Sequence, residues 1–273
     1  MIIGRIEVNI VRDGTFSLDP GAAFGIVPKP IWSREYTLNG AGRVTLGVNT
    51  LVASDGEISA LIDGGLGDVN NEKFRNIFEI KPNRDYLRDV EKFTRPEEVR
   101  LAVHSHLHFD HSGRTLQIEN GKPLFRNAAI VAQRDEFTGY SHPNEITRGN
   151  YIHQGTYARR LQKIRVDGNR RINGWISVIR TGGHSPGHEA IVLASGGREI
   201  IYPGDLFPTS FYLRPNYITA IDSHPFQSLK MKKLILKRAI RKRSLLILNH
   251  DLLHPSVYVS GNPEKPSFED GDL

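Results

Sequence analysis

Residues 104–113 read HSHLHFDHSG. His106, His108, Asp110 and His111 crowd into six positions directly after the apolar run Val99–Val103, which has the length of a buried strand. In extended chain His106 and His108 project to one side, so two neutral imidazoles can chelate one cation. A turn into a helix then lets Asp110 and His111 face a second cation, with Asp110 near the helix start, where a carboxylate is favoured. The bland alternative is a histidine-rich surface loop whose rings bond to backbone. His104 lies inside the strand, where an apolar residue would fit, and is expected to pack behind the cluster rather than join it.

The same pattern recurs along the chain. Thr181–His188 reads TGGHSPGH after the apolar run Ile176–Arg180, and its glycines let backbone pass close to a metal; His184 is the ligand candidate and His188 a supporting or packing residue. Asp205 follows Glu199–Tyr202, and a carboxylate there can bridge two cations, which one imidazole cannot. His250 follows Leu245–Leu248 in the run Asn249-His250-Asp251, and Asp63 follows Ile58–Ile62, where it could orient a ligand histidine from behind. Strand ends of a layered α/β fold are where ligands gather. His142, His153, His224 and His254 lack such context and are expected on the surface or in loops.

The 273-residue chain is 38% hydrophobic and 24% charged, which excludes wholesale disorder. It has no cysteine, so disulfides, thiolate ligands, iron–sulfur clusters and a cysteine nucleophile are excluded, and any metal site must use His, Asp and Glu. The N-terminal run MIIGRIEVNI has charge inside it and no cleavage pattern, so a cytoplasmic location with no membrane association is expected. A net charge of +6 permits attraction to anions but does not require it.

Asp55-Gly56 and Ser195–Arg198 are hairpin signals between apolar runs. Helices are expected over Asn83–Phe93 and Phe226–Arg243; the second carries eight Lys or Arg beside Leu229, Leu234, Leu236 and Ile240, read as a solvated basic face or, less simply, a nucleic-acid or membrane patch. Residues 13–47 read as loops and short strands that wall a pocket or form an interface. Residues 1–258 are expected to form one domain, with 259–273 a frayed, flexible tail.

The set H-x-H-x-D-H, G-H-S-P-G-H, G-D and N-H-D, with Asp63-Gly64-Gly65 as a first motif, resembles the metallo-β-lactamase superfamily of binuclear metal hydrolases. The resemblance runs from about residue 45 to 251, and the first cluster is similar to that of the N-acyl homoserine lactone lactonases. It implies an α/β fold, an αβ/βα four-layer sandwich of two mixed sheets with helices outside. It implies one site of His106, His108 and His184, a second of Asp110, His111 and His250, and Asp205 as bridge. The cofactors implied are two divalent ions; nitrogen and oxygen ligands suit zinc, and also iron, manganese or cobalt. A hydroxide held between them would be the nucleophile, with Asp110 as ligand and proton shuttle.

His111 and the lack of cysteine argue against the common class B β-lactamases. The short stretches after His250 and between Asp205 and His250 leave no room for the extra domains of type II glyoxalases or RNA-processing nucleases. An ester or lactone is then the expected small-molecule partner. A phosphodiesterase, nuclease or organophosphate hydrolase is the alternative, with nucleic acid a poor second as partner; a non-enzymatic metal-binding protein is a third reading. Pro208 stands where related lactonases tend to place a tyrosine, so Tyr212 or Tyr217 would have to supply a hydroxyl. The Ser17–Trp32 segment, with Phe24, is expected to wall the substrate site, or else to cap the core or form a homodimer interface.

Overall fold

The computed structural model describes residues 1–67, 69, 71–151 and 161–273. His153 lies outside the described residues.

Two mixed sheets carry the fold. The first runs Ile2–Ile3, Ile6–Leu18, Val44–Ser54, Ser59–Ile62, Val99–Val103, Ala129–Gln133 and Lys163–Val166, with Lys81–Pro82 added along Ile6–Leu18. The second runs Arg170–Arg171, Ile176–Arg180, Glu189–Ser195, Arg198–Tyr202, Leu245–Ile247, Ser256–Asn262 and Lys265–Asp270. Both hairpins signalled by Gly-containing turns form: Ser54 pairs with Ser59 and Ser195 with Arg198.

Period-two alternation assigns the faces. Leu51, Ala53, Ala60 and Ile62 from the first sheet meet Ile191, Leu193, Ile200 and Leu245 from the second in one buried core between the sheets. Their neighbours Val52 and Leu61 point the other way, onto Tyr86 and Val90 of the helix Tyr86–Glu91. Val192, Ile201 and Leu246 face Met231, Ile235 and Leu236 of the helix Pro225–Lys242. Helices therefore cover both outer faces, giving the expected four layers.

The basic helix is partly neutralised. Arg238 and Lys242 both bind Glu199, at 2.6 and 3.0 Å, and Lys233 reaches Glu264 at 3.1 Å. Lys232 is buried, donates to the Tyr217 carbonyl, and lies 5.2 Å from the Phe207 ring centroid. Among the described residues no helix is long and apolar enough to cross a membrane.

Two expectations need correction. The segment after Tyr258 does not fray: Ser256–Asn262 and Lys265–Asp270 pair antiparallel, from Val257 with Asp270 to Asn262 with Lys265. Val257 and Val259 anchor the first of these strands against the helix, and the second is held by backbone bonds and by His254, whose Nδ1 is 2.6 Å from Asp270 Oδ1 and whose ring lies 5.3 Å from that of Phe268. Residues 13–47 are also more regular than expected. Two long strands, Ile6–Leu18 and Val44–Ser54, enter and leave this segment, and a register shift between Arg12 and Thr15 breaks the alternation that would have revealed them. Gly14, at φ 111°, sits inside that shift.

Candidate metal centre

The strand Val99–Val103 ends at the centre, and the helix Phe109–Leu116 begins with His108 as its N-cap. This helix lies against the Asp63-Gly64-Gly65 turn: Gly113 N donates to Gly65 O and Arg114 N to Gly64 O, each at 2.7 Å. The approach is so close that a Cβ on Gly113 would sit 2.0 Å from Leu66 O. Asp63 holds the turn at a positive φ of 54°, a conformation Asp tolerates better than most residues.

His106, His108 and His184 bring one nitrogen each to a common point, as do Asp110, His111 and His250 with their nitrogens and a carboxylate oxygen. Asp205 stands between the two groups. Its Oδ2 is 3.3 Å from His184 Nε2 and 4.0 Å from His106 Nε2; its Oδ1 is 3.2 Å from His111 Nε2 and 3.1 Å from His250 Nε2. Asp110 Oδ2 is 3.3 Å from His250 Nε2. Ligand atoms at 2.0–2.1 Å from a tetrahedral zinc are separated by about 3.3 Å, so this spacing fits one cation in each group.

Four of the rings are oriented from behind. His111 Nδ1 is 2.6 Å from Asp63 Oδ2, His184 Nδ1 is 3.0 Å from Asp222 Oδ1, His250 Nδ1 is 2.7 Å from Gly47 O, and His106 Nδ1 is 3.0 Å from Ser105 Oγ. Each partner accepts a proton at Nδ1, which leaves Nε2 as a lone pair aimed at the shared space. The Nε2 atoms of His106, His111 and His250 are buried without a hydrogen-bond partner among the described residues. Buried polar atoms are rarely left so; one cation in each group would satisfy all three.

The electrostatics divide the rings. Burial, reinforced by the neighbouring histidines, holds His106 and His108 well below the usual imidazole range. Burial opposes charge on His111 too, but the carboxylates of Asp205, Asp110 and Asp63 outweigh it and raise its pKa well above the ordinary value. Burial raises the Asp110 carboxyl, with His111 and His250 pulling against that and Asp205 adding to it.

Other expected residues separate. Asp63 accepts from Ser105 N and Ser105 Oγ, both at 2.7 Å, as well as from His111. His104 is buried, with its two nitrogens 3.0 Å from His111 O and 3.1 Å from Thr115 Oγ1. His188 places Nδ1 against Thr181 Oγ1 and contributes to neither ligand group, and burial lowers its pKa to about 3.

A narrow cleft of about 50 Å³ opens over His108, Asp110, His184, Asp205 and His250, with Phe16, Leu18, Leu46 and Phe109 among its apolar walls. Phe24 does not line it. It is buried and stacks on Trp32 at 4.7 Å, because the short helix Pro20–Phe24 turns that face toward the core, and Ala23 reaches the cleft instead. Tyr212 lines the cleft, but its hydroxyl donates to Ala23 O at 2.6 Å. Pro208 lines the cleft and Tyr217 stacks on Phe211 at 4.7 Å. Sequence reasoning missed Asp222, which lies before the basic helix with no motif to mark it. It also passed over Asn249, whose Nδ2 holds Asp205 Oδ1 at 2.6 Å; adjacency to His250 was the available signal.

No family model matches the chain. It is 25% identical to an N-acyl homoserine lactonase from Bacillus sp over 160 residues, 58% of each chain, so it spans less than two thirds of that relative. It is also 25% identical to the N-acyl homoserine lactonase of Bacillus thuringiensis over 211 residues, 70% of this chain and 76% of the other. Among solved structures, a "probable metal-dependent hydrolase" from Staphylococcus aureus superposes with a TM-score of 0.89 at 28% identity, covering 100% of this chain and 99% of that one. AidC, described as a dizinc quorum-quenching lactonase, shares the fold with a TM-score of 0.77 at 16% identity, covering 100% and 97%. By sequence the chain is a distant homologue of N-acyl homoserine lactonases, and it shares its fold with the Staphylococcus aureus probable metal-dependent hydrolase and with a hydrolase described as in the beta lactamase superfamily.

Proposed function

We propose that this chain is a binuclear metal-dependent hydrolase that opens a lactone or ester, with an acyl homoserine lactone as the leading substrate class. The observation that carries the reading is the convergence of three orphaned buried Nε2 atoms on the two oxygens of Asp205. That donor set supports two divalent ions, with zinc the leading choice. His106, His108 and His184 would hold one, Asp110, His111 and His250 the other, and Asp205 would contact both.

Such ions supply Lewis acidity and a nucleophile from water at neutral pH. The chain's own residues do the rest. The apolar walls at Phe16, Leu18, Leu46 and Phe109 suit an acyl chain and exclude water from the reacting carbonyl. Asp110 lines the same cleft, where the carboxylate oxygen not engaged by the ion would be placed to carry a proton to the leaving oxygen.

The test is pH-stat proton release from a medium-chain acyl homoserine lactone by the zinc-loaded chain, with His106→Ala/His108→Ala as control. A kcat/KM of about 10⁴ M⁻¹s⁻¹ or more, lost in the control, is expected. Absence of turnover with two bound metals would overturn the substrate class and bring phosphodiesters and thioesters forward.

A further inference from the structure

The loops that carry His106, His108 and His184 come from different sheets, yet one side chain touches both. Glu136 lies in the first turn of the helix Arg134–Ser141 and is 1% exposed. Its Oε2 accepts from the backbone N–H of Leu107, between His106 and His108, at 3.0 Å. Its Oε1 accepts from Gly187 N at 3.0 Å and from the hydroxyl of Ser185, the residue after His184. The helix start and the 182–188 loop are in direct contact, because a Cβ on Gly187 would lie 2.7 Å from Glu136 N. Among the described residues no lysine or arginine forms an ion pair with Glu136; burial raises its carboxyl pKa, while its three hydrogen-bond donors and nearby His184 pull the other way. A buried carboxylate in that state is costly unless a cation lies close by.

We infer that Glu136 is a positioning residue that sets the separation of the two loops and thereby the tri-histidine site, with the bound cation as its electrostatic partner. This rests on the metal-centre reading above. The carboxylate offers acceptors only, and all three of its neighbours donate. A glutamine of the same shape must turn an NH2 toward at least one donor, which releases one loop, and it carries no charge.

The experiment is zinc affinity by competition with a chromophoric chelator in two backgrounds. His250→Ala leaves the tri-histidine set complete, and His184→Ala leaves the Asp110, His111 and His250 set complete. Adding E136Q is expected to weaken zinc about 10–100-fold in the His250→Ala background, the range found for groups that orient metal ligands, and to leave the His184→Ala background unchanged. The cobalt(II) visible spectrum of the His250→Ala form should change with it. Equal affinity with and without E136Q, or equal losses in both backgrounds, would overturn the inference. Should E136Q fail to fold by circular dichroism, Ser185→Ala, which removes one of the three bonds, decides: a smaller loss confined to the tri-histidine set supports the inference, and no loss overturns it. Failure of the parent backgrounds to bind zinc at all would overturn the metal-centre reading itself, and this inference with it.

Discussion

Asp63 and His111 form a fully buried hydrogen bond of 2.6 Å, although Asp63 follows the strand Ser59–Ile62 and His111 lies in the helix Phe109–Leu116. Asp63 uses its other oxygen to hold Ser105 N at 2.7 Å, so one carboxylate fixes both the loop entering the centre and a ring within it. Asp63→Asn retains the shape but supplies one acceptor where two are needed. We expect metal affinity at the Asp110, His111 and His250 group to fall about 10–100-fold. Metal content after dialysis against a graded chelator series checks this, and full occupancy in the variant would count against the role.

The carboxylates around His111 also set a pH dependence. Its folded pKa is raised, so in the metal-free chain the protonated ring contributes stability that is fully present below its ordinary pKa of 6.5 and is lost as pH rises through the raised value. A cation must displace that proton. Metal binding is therefore expected to release protons and to weaken as pH falls, by about tenfold per unit for each proton displaced. Calorimetry in buffers of different ionisation enthalpy counts the protons; a heat independent of buffer would contradict the expectation.

Lys232 offers a test away from the centre. Burial lowers its pKa from 10.5 to about 7, with Asp222 acting weakly in the other direction. Between these values the unfolded chain binds the proton and the folded chain does not, so wild-type stability should rise with pH relative to Lys232→Met. The slope of the difference is at most about 1.4 kcal/mol per pH unit. Urea titrations of both forms at pH 6, 8 and 10 give the difference directly, and parallel curves would mean that the amine stays charged in the fold.

The contact between Gly113 and the Leu66 carbonyl leaves no space for a methyl group. Gly113→Ala must push the ligand-bearing helix off the Asp63 turn. A destabilisation of about 1–3 kcal/mol is expected from overpacking, together with weaker metal binding, whereas Gly56→Ala, with nothing near its Cβ, should leave metal binding alone. Chemical denaturation and zinc titration on the pair separate the two effects.

Much of this architecture was legible before any coordinates. The ligand candidates stand at the ends of apolar runs because metal chelation and hairpin formation are local chemistry: residue type, a spacing of two along a strand, and a Gly-containing turn suffice to state them. His106, His108, Asp110, His111, His184, Asp205 and His250 lie together, and both hairpins formed where Asp55-Gly56 and Ser195–Arg198 marked them. What backs each ring was not legible. Asp222 reaches His184 across 38 positions, Gly47 O reaches His250 across 203, and Glu136 joins loops from two sheets. Nor could the sequence say that Phe24 faces the core while Phe16 walls the cleft, since the register shift before Phe16 and the short helix that carries Phe24 set the direction of each. The strands after Tyr258 stayed hidden for a related reason, because the outer one is held by backbone bonds to its neighbour rather than by an apolar pattern of its own. Local chemistry names the candidate ligands; long-range closure of the two sheets decides which groups stand behind them, because those partners meet only when the sheets pack.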